Sequence, residues 1–317
     1  MEFRSSGQLA VDIREWDQVL PRFDIIVGVP RSGMLPASML ALRQNTLLMS
    51  LNELIAGLSP TGGSRSEGLP IRWDRMLILD DSIDSGRAMA TVKSNVDALG
   101  LSGRVEFGAV YASGSRASRL VDHVHSVVRR PRMFEWNVLH HPALKDACMD
   151  IDGVLCPDPL SGQNDDGDEY LRFLSDAPCI YKPPVRVAKL VTGRLEKYRS
   201  VTVDWLNKNE IAYGDLIMLD GVSAEERRLS RCVPRFKAGV YRASYSSIFV
   251  ESSSLEASEI ASLSGRAVFS VEHFLMFYPG RSEAQLASLA QGSAPRRVRV
   301  RNAIKDFRFE LSRKFTN

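Results

Sequence analysis

The sequence lacks the features that would tie it to a membrane or to nucleic acid. Its 317 residues contain no apolar run close to the roughly 20 residues that a membrane helix needs. Residues 1–18 contain no apolar core of signal-peptide length. The formal net charge is only +3, from 41 basic and 38 acidic residues, which does not argue for a nucleic-acid binder. We therefore expect a cytoplasmic protein that binds no nucleic acid, either free or peripheral at the inner face of the membrane.

Cysteine is scarce and irregularly spaced. The four cysteines, Cys148, Cys156, Cys179 and Cys232, form no CxxC pair. A disulfide framework is not expected in a chain of this length. Reduced thiols are the simplest interpretation.

Short apolar runs alternate with stretches of helical periodicity along the whole chain. The predicted strands cover residues 24–29, 46–51, 76–79, 105–112, 146–151, 187–191, 215–219, 247–251 and 267–272. Helical spacing is clear at 87–99 and 199–210. This alternation predicts an α/β fold with two Rossmann-like domains, each a mostly parallel sheet flanked by helices. We predict the domains at 1–142 and 143–317, the second ending in a basic tail at about 295–317.

In the stretch ILDDSIDSG (78–86), an apolar predicted strand is followed directly by acidic residues and then by a turn of small residues. The turn opens the predicted helix 87–99, so its backbone N–H groups and the helix dipole form a candidate phosphate cradle. Asp80 and Asp81 lie beside this cradle, where carboxylates can hold sugar hydroxyls or a metal ion. A sugar phosphate would satisfy both, because its phosphate fits the cradle and its hydroxyls fit the carboxylates. The alternative is a solvated acidic turn.

This stretch resembles the signature that binds phosphoribosyl pyrophosphate (PRPP) in the type I phosphoribosyltransferases. The resemblance covers residues 20–140, and the signature itself is similar to that of the purine-salvage branch of the family. It implies that Asp80 and Asp81 contact the ribose hydroxyls and that Asp84 is the general base. It also implies a 5-phosphate cradle over residues 84–88, which comprises Asp84, Ser85, Gly86, Arg87 and Ala88. Ala88 departs from the family pattern, which has a hydroxyl residue at that position.

Two further segments agree with this resemblance. DIIVGVPRSGMLPA (24–37) reads as strand, tight turn and helix, and the family binds pyrophosphate at that turn, here near Arg31, Ser32 and Gly33. The Gly/Ser/Pro-rich loop 59–70 lies where the family has its catalytic lid, from which Arg65 is expected to reach the pyrophosphate. FEWNVLHH (134–141) lacks the pattern expected for reading a purine, and Trp136 is either a core residue or a stacking platform for a sugar.

The C-terminal half repeats the pattern of acids at a strand end. In DACMDIDGVLCPDP (146–159), Asp150 and Asp152 are separated by one residue, so both can face one site. One can attack while the other shuttles a proton, and both can bind Mg²⁺. Further along lie three more elements, KLVTGR (189–194), Lys237 and Glu251.

In this order and spacing the four elements resemble the haloacid dehalogenase (HAD) phosphatase superfamily. The resemblance implies that Asp150 is the nucleophile and Asp152 the general acid/base. It implies phosphate binding by Thr192, Gly193 and Lys237, and Mg²⁺ binding by Asp150, Asp152 and Glu251. Ser252 stands where the family often has a second acid, and Asp158 is expected to be a turn residue. The segment 160–186 is too short for a large cap, which predicts a small cap and an open site.

Together the two halves predict a bifunctional, Mg²⁺-dependent enzyme. This architecture resembles bacterial polysaccharide enzymes, of O-antigen or capsule, that install ribofuranose in two steps. There PRPP donates ribose 5-phosphate to a hydroxyl of a lipid-linked or oligosaccharide glycan, with inversion to a β-linkage, and the phosphatase then removes the 5-phosphate. The alternatives are a nucleobase or small-metabolite phosphoribosyltransferase fused to a nucleotidase, and a regulator that only senses PRPP.

The C-terminal tail allows two interpretations. Its eight Lys and Arg residues between 296 and 314 form either a solvated face or a docking surface. Such a surface would bind an anionic membrane or a glycosyltransferase complex. Homo-oligomerisation is a further expectation that no motif settles.

Overall fold

A computed structural model describes residues 1–64, 72–163, 167–220, 232–282 and 284–285. The chain divides into two compact units, Met1–Pro142 and Ala143–Asn317. Both are α/β units built on mainly parallel sheets, which confirms the predicted fold class at that level. None of the described helices has the length and apolar character needed to cross a bilayer.

The first unit contains a five-stranded parallel sheet in the order β3-β2-β4-β5-β6. Its strands are β2 (Ile25–Gly28), β3 (Leu47–Ser50), β4 (Met76–Ile83), β5 (Val105–Ala112) and β6 (His123–Val127). A separate parallel pair joins β1 (Glu2–Arg4) to β7 (Arg132–Phe134). The strand β4 lies at the centre of the main sheet, so its carboxyl end is flanked by the turns that follow β2 and β5.

Helices cover both faces of this sheet. They are α1 (Ser6–Asp17), α2 (Met34–Gln44), α3 (Leu51–Ile55), α4 (Arg87–Ala98) and the short α5 (Ser115–Ser118). Alternate residues of β4 face opposite sides, so Met76 and Ile78 pack with α4 while Leu77 and Leu79 pack with α1 and α2. Burying each such side chain contributes about 1.5–3 kcal/mol. The double coverage explains why these strands read as continuous apolar runs rather than alternating ones.

Side-chain caps fix where several helices begin. The Ser5 hydroxyl accepts from the Gln8 amide at the start of α1, at 3.1 Å. Ser50 and Glu53 form a reciprocal capping box on α3. Gly86 precedes α4 with a φ of +80°, a conformation that favours glycine, so the turn predicted to cradle phosphate leads straight into that helix.

The second unit contains a six-stranded sheet in the order β10-β9-β8-β11-β12-β13. The strands are β8 (Cys148–Met149), β9 (Val187–Leu195), β10 (Tyr213–Leu219), β11 (Phe249–Glu251), β12 (Val268–Ser270) and β13 (Leu275–Phe277). All pairs are parallel except β12 with β13. Because β8 pairs with both β9 and β11, the residues that follow these three strands meet at one edge.

The helices of the second unit are α6 (Asp168–Asp176), α7 (Arg199–Lys208), α8 (Cys232–Ala243) and α9 (Ser254–Ser264). Buried residues of α8 and α9, including Tyr241 and Ile260, pack on Cys148, Val191 and Phe249 of the sheet. The other two helices, α6 and α7, pack against each other, and the Trp205 indole donates to the Ala177 carbonyl at 2.7 Å. The four cysteines are free thiols.

Three strands differ in length from their predictions in a way that affects the site. The strand β4 continues through Asp80 and Asp81 to Ile83, because β5 supplies hydrogen-bond partners along that whole length. Likewise β9 extends past the predicted residue 191 to Leu195 and includes Thr192 and Gly193. By contrast, β8 spans only two residues, so Asp150 follows it directly.

Candidate functional site

The two adjacent acids of β4 occupy different environments at the centre of the first sheet. Asp81 is buried, and its Oδ2 accepts from the Trp136 indole N–H at 2.7 Å. Asp80 is partly exposed, and its Oδ1 accepts from the Asp81 amide at 2.8 Å. Burial, then the charge of Asp81, raises the pKa of Asp80 to about 8. The pair thus places two carboxyl groups of different burial side by side on the central strand.

The turn after β2 lies directly against these acids. The Val29 amide donates to the Leu79 carbonyl at 3.0 Å. A Cβ on Gly33 would lie 2.6 Å from the Val29 carbonyl oxygen and 2.8 Å from that of Leu79. Only glycine permits this approach. The predicted pyrophosphate-binding residues Arg31, Ser32 and Gly33 and the predicted ribose-binding acids therefore share one region, in which the Pro30–Arg31 peptide bond is cis.

The turn after β4 forms one wall of a pocket. Asp84, Ser85 and Arg87 line it from the predicted cradle, and Ser113, Gly114 and Ala117, after β5, line it as well. Two arginines that the sequence did not single out, Arg116 and Arg130, also line this pocket. Their guanidinium groups suit a phosphate. The Arg130 guanidinium is ion-paired with the Asp84 carboxylate, so the predicted general base is paired with one of them.

The segment predicted to lie over the acceptor uses its side chains internally. The Trp136 ring stacks on Phe134, with centroids 5.1 Å apart, while its N–H is bonded to Asp81. The Glu135 carboxylate accepts from the Ser6 amide at 2.7 Å and from the Ser6 hydroxyl at 2.8 Å. The indole N–H and the Glu135 carboxylate are thus both hydrogen-bonded within the unit.

In the second unit, Lys237 is the centre of the predicted phosphatase residues. Its buried ammonium donates to Asp150 at 2.6 Å, to Glu251 at 2.8 Å and to Glu256 at 3.0 Å. Burial lowers the pKa of Lys237, but these three carboxylates outweigh it and keep the ammonium charged. Burial also raises the pKa of Asp150 well above its ordinary value, which Lys237 opposes. Glu256, the third carboxylate, was not among the predicted residues.

A second cation orients Asp152. Arg194 is fully buried, and its Nη2 donates to Asp152 Oδ1 at 2.7 Å while its Nε contacts both carboxylate oxygens at 3.1–3.2 Å. The Cys156 thiol adds a further contact to Oδ1 at 3.3 Å. Oδ2 thus has fewer partners and is the oxygen better placed to exchange a proton. Arg194 also contacts Thr192, because its backbone amide donates a hydrogen bond to the threonine hydroxyl at 3.2 Å.

Asp158, expected from the sequence to be a turn residue, lines the same cavity as Asp150 and Asp152. A Cβ on Gly153 would lie 2.8 and 2.9 Å from the two Asp158 carboxylate oxygens and 2.4 Å from Ser252 Cβ. The side chain keeps an exposed surface, yet partial burial, with the charges of Asp152 and Glu251, raises the pKa of Asp158 to about 6. The Ser252 hydroxyl donates to Glu251 at 3.1 Å. Asp158 therefore places a carboxyl group close to Ser252, the residue that stands where a second acid was expected.

These groups line a cavity of about 370 Å³. Polar lining comes from Asp150, Asp152, Asp158, Gly193, Lys237, Ser252, Glu256 and Glu259, and apolar lining from Pro159, Tyr170, Val233, Pro234 and Leu255. Six carboxylates lie around two cations here, counting Asp150, Asp152, Asp158, Glu251, Glu256 and Glu259 against Lys237 and Arg194. An oxygen-only, electronegative donor set of this kind fits a hard divalent cation such as Mg²⁺. In this arrangement Lys237 bridges Asp150 and Glu251, and the oxygens of the three predicted metal ligands do not all lie within 4.8 Å of one another.

Some predicted residues fall outside the described ranges. Arg65, the second half of the predicted lid and the basic tail at 295–317 lie there. Residues 59–64 of the loop are described, and Thr61 forms a bridge to Leu48 of β3. The other predicted site residues are described, including Ala88 at the exposed first turn of α4.

No protein-family model matches the chain, and no curated protein matches it. Solved structures do show similarity. A purine phosphoribosyltransferase from Pyrococcus horikoshii is 22% identical, with a TM-score of 0.33, over 43% of this chain and 92% of its own. A xanthine-guanine-hypoxanthine phosphoribosyltransferase from Helicobacter pylori is 18% identical, with a TM-score of 0.32, over 43% and 93%. An orotate phosphoribosyltransferase from Aeropyrum pernix is 21% identical, with a TM-score of 0.29, over 38% and 70%.

Proposed function

We propose that the chain is a two-step ribofuranosyl-transferring enzyme. The first unit transfers ribose 5-phosphate from PRPP to a glycan hydroxyl, and the second hydrolyses the 5-phosphate from the product. The observation that carries this proposal is common to both units. Each has carboxylates at the carboxyl end of a central parallel strand, next to side chains or amides suited to phosphate.

In the first step, Asp80 and Asp81 hold the ribose hydroxyls and the turn at residues 31–33 holds the pyrophosphate. The pocket at residues 84–88 holds the 5-phosphate, with Arg116 and Arg130 replacing the hydroxyl donor that Ala88 lacks. A phosphate there competes with Asp84 for the Arg130 guanidinium. Asp84 is then free to take the acceptor proton as the acceptor oxygen bonds to C1 and the C1–pyrophosphate bond breaks.

A hydroxyl acceptor is favoured over a nucleobase by the segment at residues 134–136. Its indole N–H and its carboxylate are both bonded within the unit, to Asp81 and to Ser6. A sugar hydroxyl needs a base to remove its proton in the transition state, which gives Asp84 a chemical task.

In the second step, an Asp150 oxygen attacks phosphorus and the bond to the ribose O5 breaks. Asp152 protonates that leaving oxygen through Oδ2 and then accepts a proton from the water that hydrolyses the aspartyl-phosphate. Gly193 and Lys237 line the cavity where the phosphoryl group would bind, with the buried Thr192 next to Gly193, and the charge of Lys237 stabilises the anion. Arg194 keeps Asp152 in one orientation.

Mg²⁺ is proposed for both units on the chemistry of their carboxylates, and in the second unit the side chains bridged by Lys237 would have to move together to bind it. Asp150, Asp152 and Glu251 would hold it in the second unit, with Asp158 as an additional oxygen donor. Asp80 and Asp81 offer carboxylates in the first. When bound, the ion neutralises the charge of the phosphate or pyrophosphate group.

The test is incubation of the full-length chain with PRPP, Mg²⁺ and different acceptors while pyrophosphate and phosphate are followed separately. Release of both only with a lipid-linked or oligosaccharide acceptor is the expected result. Release with free bases instead would show a nucleobase enzyme. Binding of PRPP with neither release would show a sensor, and would overturn the proposal.

Two variants test the order of the steps. Asp150→Asn should stop phosphate release and let a ribose 5-phosphate adduct accumulate, which mass spectrometry of the acceptor detects. If no adduct accumulates, the sequential scheme is wrong. Asp84→Asn should slow transfer far more than it weakens PRPP binding, and Asp204→Asn, an exposed acid on α7, is the matched control that should change neither.

A further inference from the structure

Three side chains distant in sequence form a compact ligand cluster in the first unit. Asp12 and Glu15 are three residues apart on α1 and therefore share a helix face, which meets β6 where His125 lies. Each of the three offers a ligand atom, and these atoms all lie within 4.8 Å of one another. No other grouping of this kind occurs within the described ranges.

His125 provides a second, independent observation. Its Nδ1 is buried and has no hydrogen-bond partner among the described residues. A buried polar atom left without a partner is unfavourable by about 1–3 kcal/mol, so native structures normally satisfy such atoms. A neutral imidazole nitrogen is also the commonest metal ligand in proteins.

The two carboxylates of the cluster form no ion pair with any residue in the described ranges. Asp12 is buried and accepts from the Tyr111 hydroxyl at 2.6 Å and from the Gln8 amide at 2.7 Å. These neutral donors orient the carboxylate as supporting hydrogen bonds do in metal sites. Glu15 reaches solvent.

We propose that Asp12, Glu15 and His125 form a binding site for a divalent transition-metal ion that holds α1 against β6. One imidazole and two carboxylates are a mixed nitrogen and oxygen set, which suits Zn²⁺ or Mn²⁺ better than Mg²⁺. Three protein ligands leave a position for water on the exposed Glu15 side. This site is separate from the carboxylates assigned to PRPP and to the phosphatase reaction.

The geometry requires only a small adjustment. Zinc binds oxygen and nitrogen at about 2.0–2.2 Å, so tetrahedral ligand atoms stand about 3.4 Å apart. Side chains whose atoms lie within 4.8 Å of one another reach that spacing by moving inward by about 1 Å or less. Glu15 can do so without repacking the core because it is exposed.

The experiment is calorimetric titration of the full-length chain with Zn²⁺ in excess Mg²⁺, which occupies oxygen-only sites. The variants are Glu15→Gln and His125→Asn, with Asp204→Asn as the control acid on an exposed helix surface. We expect a zinc site in the wild type and the control, at least ~10-fold weaker binding in Glu15→Gln, and its loss in His125→Asn. Thermal unfolding should show a zinc-dependent rise in Tm that is smaller in Glu15→Gln and absent in His125→Asn.

Folding is checked independently. Because Nδ1 makes no bond to a described residue, His125→Asn should keep the wild-type circular dichroism spectrum in the absence of zinc. Glu15→Gln, at an exposed position, provides a second variant that does not depend on the core. Equal zinc binding by the wild type and both site variants, or no zinc binding by the wild type, would overturn the proposal.

Discussion

Asp80→Asn should stabilise the protein at neutral pH while it removes a residue assigned to substrate binding. Asparagine keeps the Oδ1 that accepts from the Asp81 amide, at 2.8 Å in the wild type, but it carries no charge. The substitution thus removes the titration of Asp80 without removing its hydrogen-bond acceptor. A stability gain at the expense of activity is typical of residues kept for function.

The sign and size follow from the pKa of Asp80, which is raised from an ordinary 3.8 to about 8. Below the ordinary value the carboxyl is protonated in both the folded and unfolded chains, and the two proteins should be equally stable. As the pH rises, the unfolded chain releases the proton first, so the wild type loses stability. At about 1.4 kcal/mol per pH unit, the difference reaches on the order of 4 kcal/mol at pH 7 and levels off above pH 8.

The assay is urea unfolding of the full-length wild type and Asp80→Asn from pH 4 to pH 8.5. Tryptophan fluorescence reports mainly on the first unit, which contains Trp16, Trp73 and Trp136, whereas Trp205 lies in the second. Asp204→Asn is the control for removing an exposed acid. A free-energy difference that stays flat across this pH range, or a variant less stable than the wild type at pH 8, would refute the reasoning.

Three further substitutions test individual contacts. Trp136→Phe keeps the aromatic stack but leaves the buried Asp81 carboxylate without its indole donor, so PRPP affinity measured by calorimetry should fall about 10-fold. Arg130→Gln should raise the KM for PRPP by about 10-fold or more with little change in maximal transfer rate, because it removes a charged donor to the 5-phosphate. Asp158→Asn should weaken Mg²⁺ binding about 10-fold, both in calorimetry and in the Mg²⁺ dependence of phosphate-monoester hydrolysis.

The outcomes that contradict these expectations are distinct. Unchanged PRPP affinity in Trp136→Phe would mean that the indole bond only supports the fold. If Arg130→Gln has the same KM for PRPP as Arg104→Gln, an exposed control, then Arg130 does not bind the 5-phosphate. Unaltered Mg²⁺ affinity in Asp158→Asn would mean that Asp158 is a turn residue and does not bind Mg²⁺.

The sequence predicted the parts of the fold that depend on local pattern. Helix 87–99 was predicted to within one residue of Arg87–Ala98, and strand 105–112 matches Val105–Ala112, because their apolar residues repeat at the helical and strand periods. Strand ends were less accurate. Asp80 and Asp81 continue β4 since the neighbouring strand supplies partners, which the polar side chains themselves do not indicate.

Contacts made by the tertiary fold could not be predicted in the same way. Arg130 is 46 residues from its partner Asp84, and Arg194 is 42 residues from Asp152. No local spacing relates them. Glu256 follows the predicted Glu251 by five residues, but only the packing of α9 beside α8 turns it towards Lys237. One signal was available for Arg194, since it ends the KLVTGR motif immediately after two predicted phosphate-binding residues.

The close approach at Gly33 limits how the first unit could change over evolution. Any side chain there would meet backbone atoms of both Val29 and Leu79, which cannot move aside without opening the sheet. In a library that randomises residues 31–33, we expect varied residues at the exposed Arg31 and the half-buried Ser32, but almost only glycine at the third position. The turn at residues 31–33, proposed to bind the donor, and the central strand are thus inherited together, and under that proposal new acceptor preferences would have to arise from segments elsewhere in the unit.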